Sequence, residues 1–126
     1  MFLNCFFVGC GGFIGSVLRY LCGCIKLPIT DFPFVTLGIN FVGSFAIMFL
    51  AGFFANNFPV DERAMLFLRV GLCGGFTTFS TFSAETLLML ENGDTLLGVG
   101  YAIASCVLCV LAAYLGELAA SAIVPN

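Results

Sequence analysis

Gly71-Leu72-Cys73-Gly74-Gly75-Phe76-Thr77-Thr78-Phe79-Ser80-Thr81-Phe82-Ser83 is the stretch on which the reading of this chain turns. It lies inside an apolar run long enough to cross a bilayer, yet its residues weaken a helix. Two adjacent glycines cost about 1 kcal/mol each relative to alanine. The Thr and Ser hydroxyls that follow compete for backbone hydrogen bonds. Together they predict a helix that opens at Gly74-Gly75, in mid-span. In lipid, unpaired backbone groups are tolerated only where they are buried in protein or line a cavity. The break is therefore either a site or a packing kink whose hydroxyls bond back to the preceding turn. Spacing alone leaves both open.

Around that stretch the chain is 61% hydrophobic and 9% charged, whereas a soluble domain carries about 25% charged residues. Lipid is the solvent that suits such a surface. A span needs roughly 20 apolar residues, and four runs reach that length. They extend from about Phe2 to Ile25, from after Asp31-Phe32-Pro33 to about Phe54, from Asp61-Glu62 to near Leu90, and from about Leu96 to Ile123. Lys26-Leu27-Pro28, Asn56-Asn57-Phe58-Pro59 and Asn92-Gly93-Asp94 supply the turns. Asp61 and Glu62 place negative charge where a helix dipole favours it. The predicted fold is an all-α membrane protein, a single four-helix transmembrane domain over residues 1–126 with an interrupted third helix. The first run lacks a basic leader and is too long for a signal peptide, so it is expected to remain as a span. With short connections throughout, any site sits at membrane depth.

Charge then sets orientation and excludes partners. Arg63 and Arg69 lie near one side of the bilayer, Arg19 and Lys26 toward the other. An even split gives the positive-inside rule no preference, which predicts a chain inserted both ways up and dimers pairing opposite orientations. The net charge of −3 comes without a basic patch, and nucleic-acid binding needs one to meet phosphates. Seven cysteines without a single histidine, scattered through apolar runs, support neither a zinc site nor a disulfide framework. Cys106-Val107-Leu108-Cys109 has redox spacing but no electropositive setting to activate a thiol. The cysteines read as small packing residues. So do the glycines of Gly11-Gly12-Phe13-Ile14-Gly15 and Gly71-Leu72-Cys73-Gly74-Gly75, whose spacing lets backbones approach.

Polar residues fall into stripes. Thr36, Asn40 and Gly43 or Ser44 share one face of the second span; Tyr101, Ser105 and Cys109 share one face of the fourth. They offer hydrogen-bond donors without a fixed positive charge. Phe79 and Phe82 stand three apart on one helix face, with Phe76 continuing the row. Phenyl rings have positive edges, and a ring turned edge-on coordinates an anion weakly, as conduction requires. Packing between helices is the alternative for the stripes, and lipid contact or the core is the alternative for the rings. Glu85 follows the break, near Thr81 and Thr78 by helical spacing, and acidic residues at depth are candidate functional groups.

Gly11-Gly12-Phe13-Ile14-Gly15-Ser16-Val17-Leu18-Arg19-Tyr20, the Asn40-x-x-Gly43 pair and the run from Gly71 to Phe82 resemble the bacterial fluoride channels of the Fluc (CrcB) family. Ser16 stands where that family usually has alanine, and Leu72 where an aromatic is common. The resemblance implies a dual-topology antiparallel homodimer with two pores, exporting fluoride that enters cells as HF. It also implies a structural Na⁺ at the dimer centre, held by the backbone carbonyls of Gly74 and Thr77. Asn40, Phe79, Phe82, Tyr101 and Ser105 would line the fluoride path, with Thr36 and Glu85 in the same vestibules and Arg19 structural or vestibular. The rival class, a small multidrug or cation antiporter, needs a carboxylate in its first span. Phe2 to Ile25 contains no Asp or Glu. A packing subunit of a larger complex would not need a mid-span break beside a phenyl row.

Overall fold

Backbone groups in lipid have no water to bond, so an apolar chain satisfies them within helices. The computed structural model describes residues 1–25, 32–57 and 61–123. In chain order the elements are α1 (Phe2–Gly23), α2 (Phe34–Asn57), α3 (Glu62–Met65), a π-helical segment (Leu66–Cys73), α4 (Gly74–Phe76), α5 (Phe79–Glu91) and α6 (Thr95–Ile123). No strand forms among the described residues. From α3 to α5 the chain makes one span, Glu62–Glu91, so four spans are long and apolar enough to cross a membrane. The turns expected at residues 26–28 and 58–59 lie outside the described residues.

Two span ends carry the chemistry that their sequences imply. The Asp61 carboxylate accepts the Arg63 N–H at 3.1 Å and caps α3. After α5, Gly93 adopts φ 89°. Its N–H donates to the Leu90 carbonyl and the Asp94 N–H to the Met89 carbonyl, a Schellman closure that favours glycine at this position.

The third span is not uniform. Its first half widens into the π-helical segment and continues as α4. Thr77 (ψ 157°) and Thr78 (φ −148°, ψ 106°) are then extended, and α5 begins at Phe79. Gly74 and Gly75 are themselves helical, which corrects the expectation that the glycine pair opens the helix. Close approach explains these glycines instead. A Cβ on Gly11 would overlap the Phe67 carbonyl oxygen, one on Gly15 the Leu72 carbonyl oxygen, and one on Gly75 would stand 2.7 Å from the Gly12 oxygen. The two glycine motifs are therefore each other's partners. α1 lies directly on the backbone of the third span.

The extended pair lets that span change neighbours. Before it, the π-helical segment and α4 pack on α1; after it, α5 packs on α6 and α2. α2 runs along α6 in the most extensive helix pair of the fold. A switch of partner at mid-membrane brings side chains of α2, α5 and α6 together around Thr78.

Replacing Gly11 with Val should destabilise the protein by about 1–3 kcal/mol, the usual cost of overpacking. Gly100→Ala, at a helical position with open space around it, should not lower stability and should raise it by up to about 1 kcal/mol. Thermal unfolding in detergent checks both; equal behaviour of the two variants would contradict the packing described.

Candidate functional site

An extended residue in mid-span leaves backbone groups that a helix would have paired, and the site follows from where those groups find partners. The Asn40 side chain on α2 meets both polar groups of Thr78: its Oδ1 accepts the Thr78 N–H at 2.7 Å and its Nδ2 donates to the Thr78 carbonyl at 3.0 Å. Thr78 in turn caps α5. Its Oγ1 accepts the Thr81 N–H at 3.2 Å and donates to Thr81 Oγ1 at 2.9 Å.

Those bonds leave carbonyls free. In an unbroken helix the Thr78 N–H would bond the Gly74 carbonyl; here it goes to Asn40. Gly74 is left with a 3.5 Å contact from the Thr77 hydroxyl. The Thr81 N–H bonds a side chain, so no backbone donor reaches the Thr77 carbonyl among the described residues. The neighbours are satisfied. Cys73 accepts from the Thr77 N–H and hydroxyl, each at 3.1 Å, and Gly75 accepts from Arg19 Nε at 3.1 Å. Arg19 thus reaches across from α1 to the broken span rather than to a carboxylate.

Beside the break, α2, α5 and α6 enclose a groove of about 410 Å³. Asn40, Phe79, Phe82 and Ser105 line it, with Thr77, Gly43, Ser44, Cys106 and Cys109. The Phe79 and Phe82 rings are 5.4 Å apart and tilted by 50°, but their surroundings differ: Phe79 is 77% exposed and Phe82 buried. Asn40 uses one of its two Nδ2 hydrogens on Thr78 and retains the other. Ser105 is 5% exposed, and its Oγ makes no hydrogen bond of good geometry among the described residues, the Tyr101 hydroxyl being its polar neighbour. A buried hydroxyl without a partner costs about 1–3 kcal/mol.

Thr36, Glu85 and Tyr101 form a second cluster on the other side of Phe82. Glu85 Oε1 accepts from the Thr36 hydroxyl at 2.6 Å and Oε2 from the Tyr101 hydroxyl at 2.7 Å. Tyr101 is fully buried, its ring 5.3 Å from both Phe82 and Phe32. Thr36 and Glu85 also border a cavity of about 330 Å³ at the Phe32–Pro33 end of the bundle. Of the expected path residues, four therefore line the groove and three make this carboxylate–hydroxyl cluster. Reasoning from sequence missed the grip of Asn40 on Thr78 and the bond from Arg19 to Gly75, because those partners lie 38 and 56 residues away. It also left out Cys106 as a groove wall, whereas the stripes had already pointed to Gly43, Ser44 and Cys109, which line the groove. All seven cysteines are free thiols.

The chain matches the family described as CrcB-like protein, Camphor Resistance (CrcB), over residues 6–117. It belongs to that family. Among curated relatives, a protein of Methylobacterium radiotolerans named fluoride-specific ion channel FluC is 42% identical, covering 95% of this chain and 86% of the relative. One of the same name from Elusimicrobium minutum is 41% identical over 94% of each. Another, from Nitrobacter winogradskyi, is 46% identical over 82% of this chain and 83% of the relative. Those relatives are named as channels and not as enzymes. With four spans and this family, the chain is a multi-pass protein of the cell membrane.

Asn40→Leu leaves the Thr78 N–H and carbonyl unpaired and should cost about 2–5 kcal/mol, on the order of two unsatisfied buried groups. Ser105→Ala removes a buried hydroxyl that makes no hydrogen bond of good geometry and should leave the protein as stable as the parent or up to about 1–3 kcal/mol more stable. Denaturant titration in detergent measures both; comparable losses would mean that the Asn40 contact is not what holds the break.

Proposed function

We propose that the chain is a fluoride-selective channel that exports cytoplasmic fluoride by passive conduction. It works as an antiparallel, dual-topology homodimer with two pores and a structural sodium ion at the dimer centre. The observation that carries this reading is a mid-span groove lined by Asn40, Phe79, Phe82 and Ser105 and free of fixed charge. Family membership and the names of the relatives support the choice of ion.

The groove suits a small, strongly hydrated anion. Ser105 and the remaining Nδ2 hydrogen of Asn40 replace lost water with O–H and N–H donors, and the ring edges of Phe79 and Phe82 add weak positive potential. No Lys or Arg lines this groove, so nothing holds the ion too tightly to leave. Thr36, Tyr101 and Glu85 continue the path toward the Phe32–Pro33 end. Each carboxylate oxygen of Glu85 is covered by a hydroxyl, which offsets its repulsion of an anion.

The chain fits sodium through backbone oxygen. Gly74 and Thr77 present carbonyls without a backbone donor at the break, and hard cations take oxygen ligands. Gly74 and Phe79 are exposed on a single chain; an inverted second copy covers them and doubles the carbonyl set. The even split of Arg19 and Lys26 against Arg63 and Arg69 supports insertion in both orientations.

Liposomes carrying the protein and loaded with KF should lose fluoride to an electrode in the bath, with valinomycin present to carry K⁺, far faster than empty vesicles. Equal rates would contradict channel activity. Ser105→Ala, Phe79→Ile and Phe82→Ile should each slow that efflux by about tenfold or more, the equivalent of roughly 1.4 kcal/mol per decade. Exhaustive exchange of Na⁺ for N-methylglucamine should abolish efflux, and returning Na⁺ should restore it. Full activity without sodium would remove the central ion from the proposal.

A further inference from the structure

Arg69 is a charged group within a span that the path described above does not use. It lies in the π-helical segment, roughly 10 Å along the span from Glu62 at about 1.5 Å per residue. Its Nε is buried and, among the described residues, has no hydrogen-bond partner. A guanidinium is a permanent positive charge, and a charged side chain within a span faces the bundle interior or a water-filled cavity. Such a group persists where water or an anion reaches it.

The cavity around Arg69 meets that requirement. Its volume is about 480 Å³, and it runs from Glu62 at the start of the span down to Gly74 beside the break, with Val70 and Ile47 on its walls. Ile47 also lines the groove of Asn40, Phe82 and Ser105, so the two spaces share a wall. Glu62 is the acidic residue in this cavity. It opposes the field of Arg69 from the outer end, where solvent screens it most.

We propose that the Arg69 cavity is an anion-gathering vestibule, in which the guanidinium raises the local concentration of fluoride beside the groove. The inference rests on the channel reading and adds a role for a residue outside the groove. Fixed charge in a low-dielectric cleft focuses field lines and raises the arrival rate of ions by about tenfold or more. Because Arg69 stands beside the groove and not in it, it attracts the ion without trapping it. A buried arginine serving only to anchor the span to the interface would show no such coupling to ion arrival.

The test compares the parent with Arg69→Gln, Arg69→Lys and Glu62→Gln in fluoride-loaded liposomes, with valinomycin and potassium isethionate at low and at about 1 M concentration. Screening lengths fall from about 10 Å at 0.1 M to about 3 Å at 1 M. At low salt Arg69→Gln should reduce efflux about threefold to tenfold, Arg69→Lys should retain most of it, and Glu62→Gln should raise it. At 1 M the variants should converge on the parent. Unmoved rates in Arg69→Gln overturn the proposal, and so does a loss that persists undiminished at 1 M, which marks a packing role. Should Arg69→Gln fail to yield folded protein, Glu62→Gln decides: an unchanged low-salt rate is then the overturning result. A parent that does not conduct removes the channel reading itself, whereas a conducting parent with salt-independent variants removes only the vestibule.

Discussion

One side chain holds the third span open. Asn40 accepts from the Thr78 N–H and donates to its carbonyl, standing in for helix bonds at a depth where water cannot. Each of those groups left unpaired would cost about 1–3 kcal/mol, comparable to what an unbroken helix would recover. The break therefore exists because α2 brings an amide to it. Everything downstream follows from that contact. The Gly74 carbonyl loses its donor, α5 starts afresh at Phe79 with Thr78 as its cap, and the span leaves α1 for α6. That change of partner is what gathers Asn40, Phe82 and Ser105 around one groove.

Much of this was legible in the residues. Apolar run lengths placed the spans to within a few residues, because hydrocarbon thickness imposes them. Asp61 and Asn92-Gly93-Asp94 marked span ends through local chemistry that needs no tertiary contact. The glycines were misjudged in a particular way. Gly74 and Gly75 have low helix propensity, yet packing on α1 overrides it, and the span leaves the helix at the following threonines instead. Intrinsic propensity is a local quantity; close approach of two backbones is not. The same limit hid the bond from Arg19 to Gly75 and the widening at Leu66–Cys73. Among the candidate residues, the donor stripes of α2 and α6 identified the right helix faces, but not that Thr36 and Tyr101 direct their hydroxyls onto Glu85.

The few charges inside the spans are handled by different means. Arg19 donates to a backbone carbonyl, Glu85 is wrapped by two hydroxyls, and Arg69 borders an open cavity. None of these is an ion pair, and a buried pair would gain little net stability after desolvation. The groove surface is mostly apolar, and the few polar groups on it are neutral hydroxyls and an amide, so it carries no fixed charge. On the proposed reading, such a surface admits an anion and releases it again. The seven cysteines fit the same picture as small, adaptable packing groups, two of which form part of the groove wall.

The most direct test is a density map of the protein in lipid nanodiscs with sodium fluoride, at a resolution that separates side-chain amides from backbone. The account predicts Thr77 and Thr78 extended, Thr78 held by Asn40, and density for an ion between Ser105 and the rings of Phe79 and Phe82. A continuous helix through Thr78, with Phe79 turned out to acyl chains and no density in the groove, would contradict it.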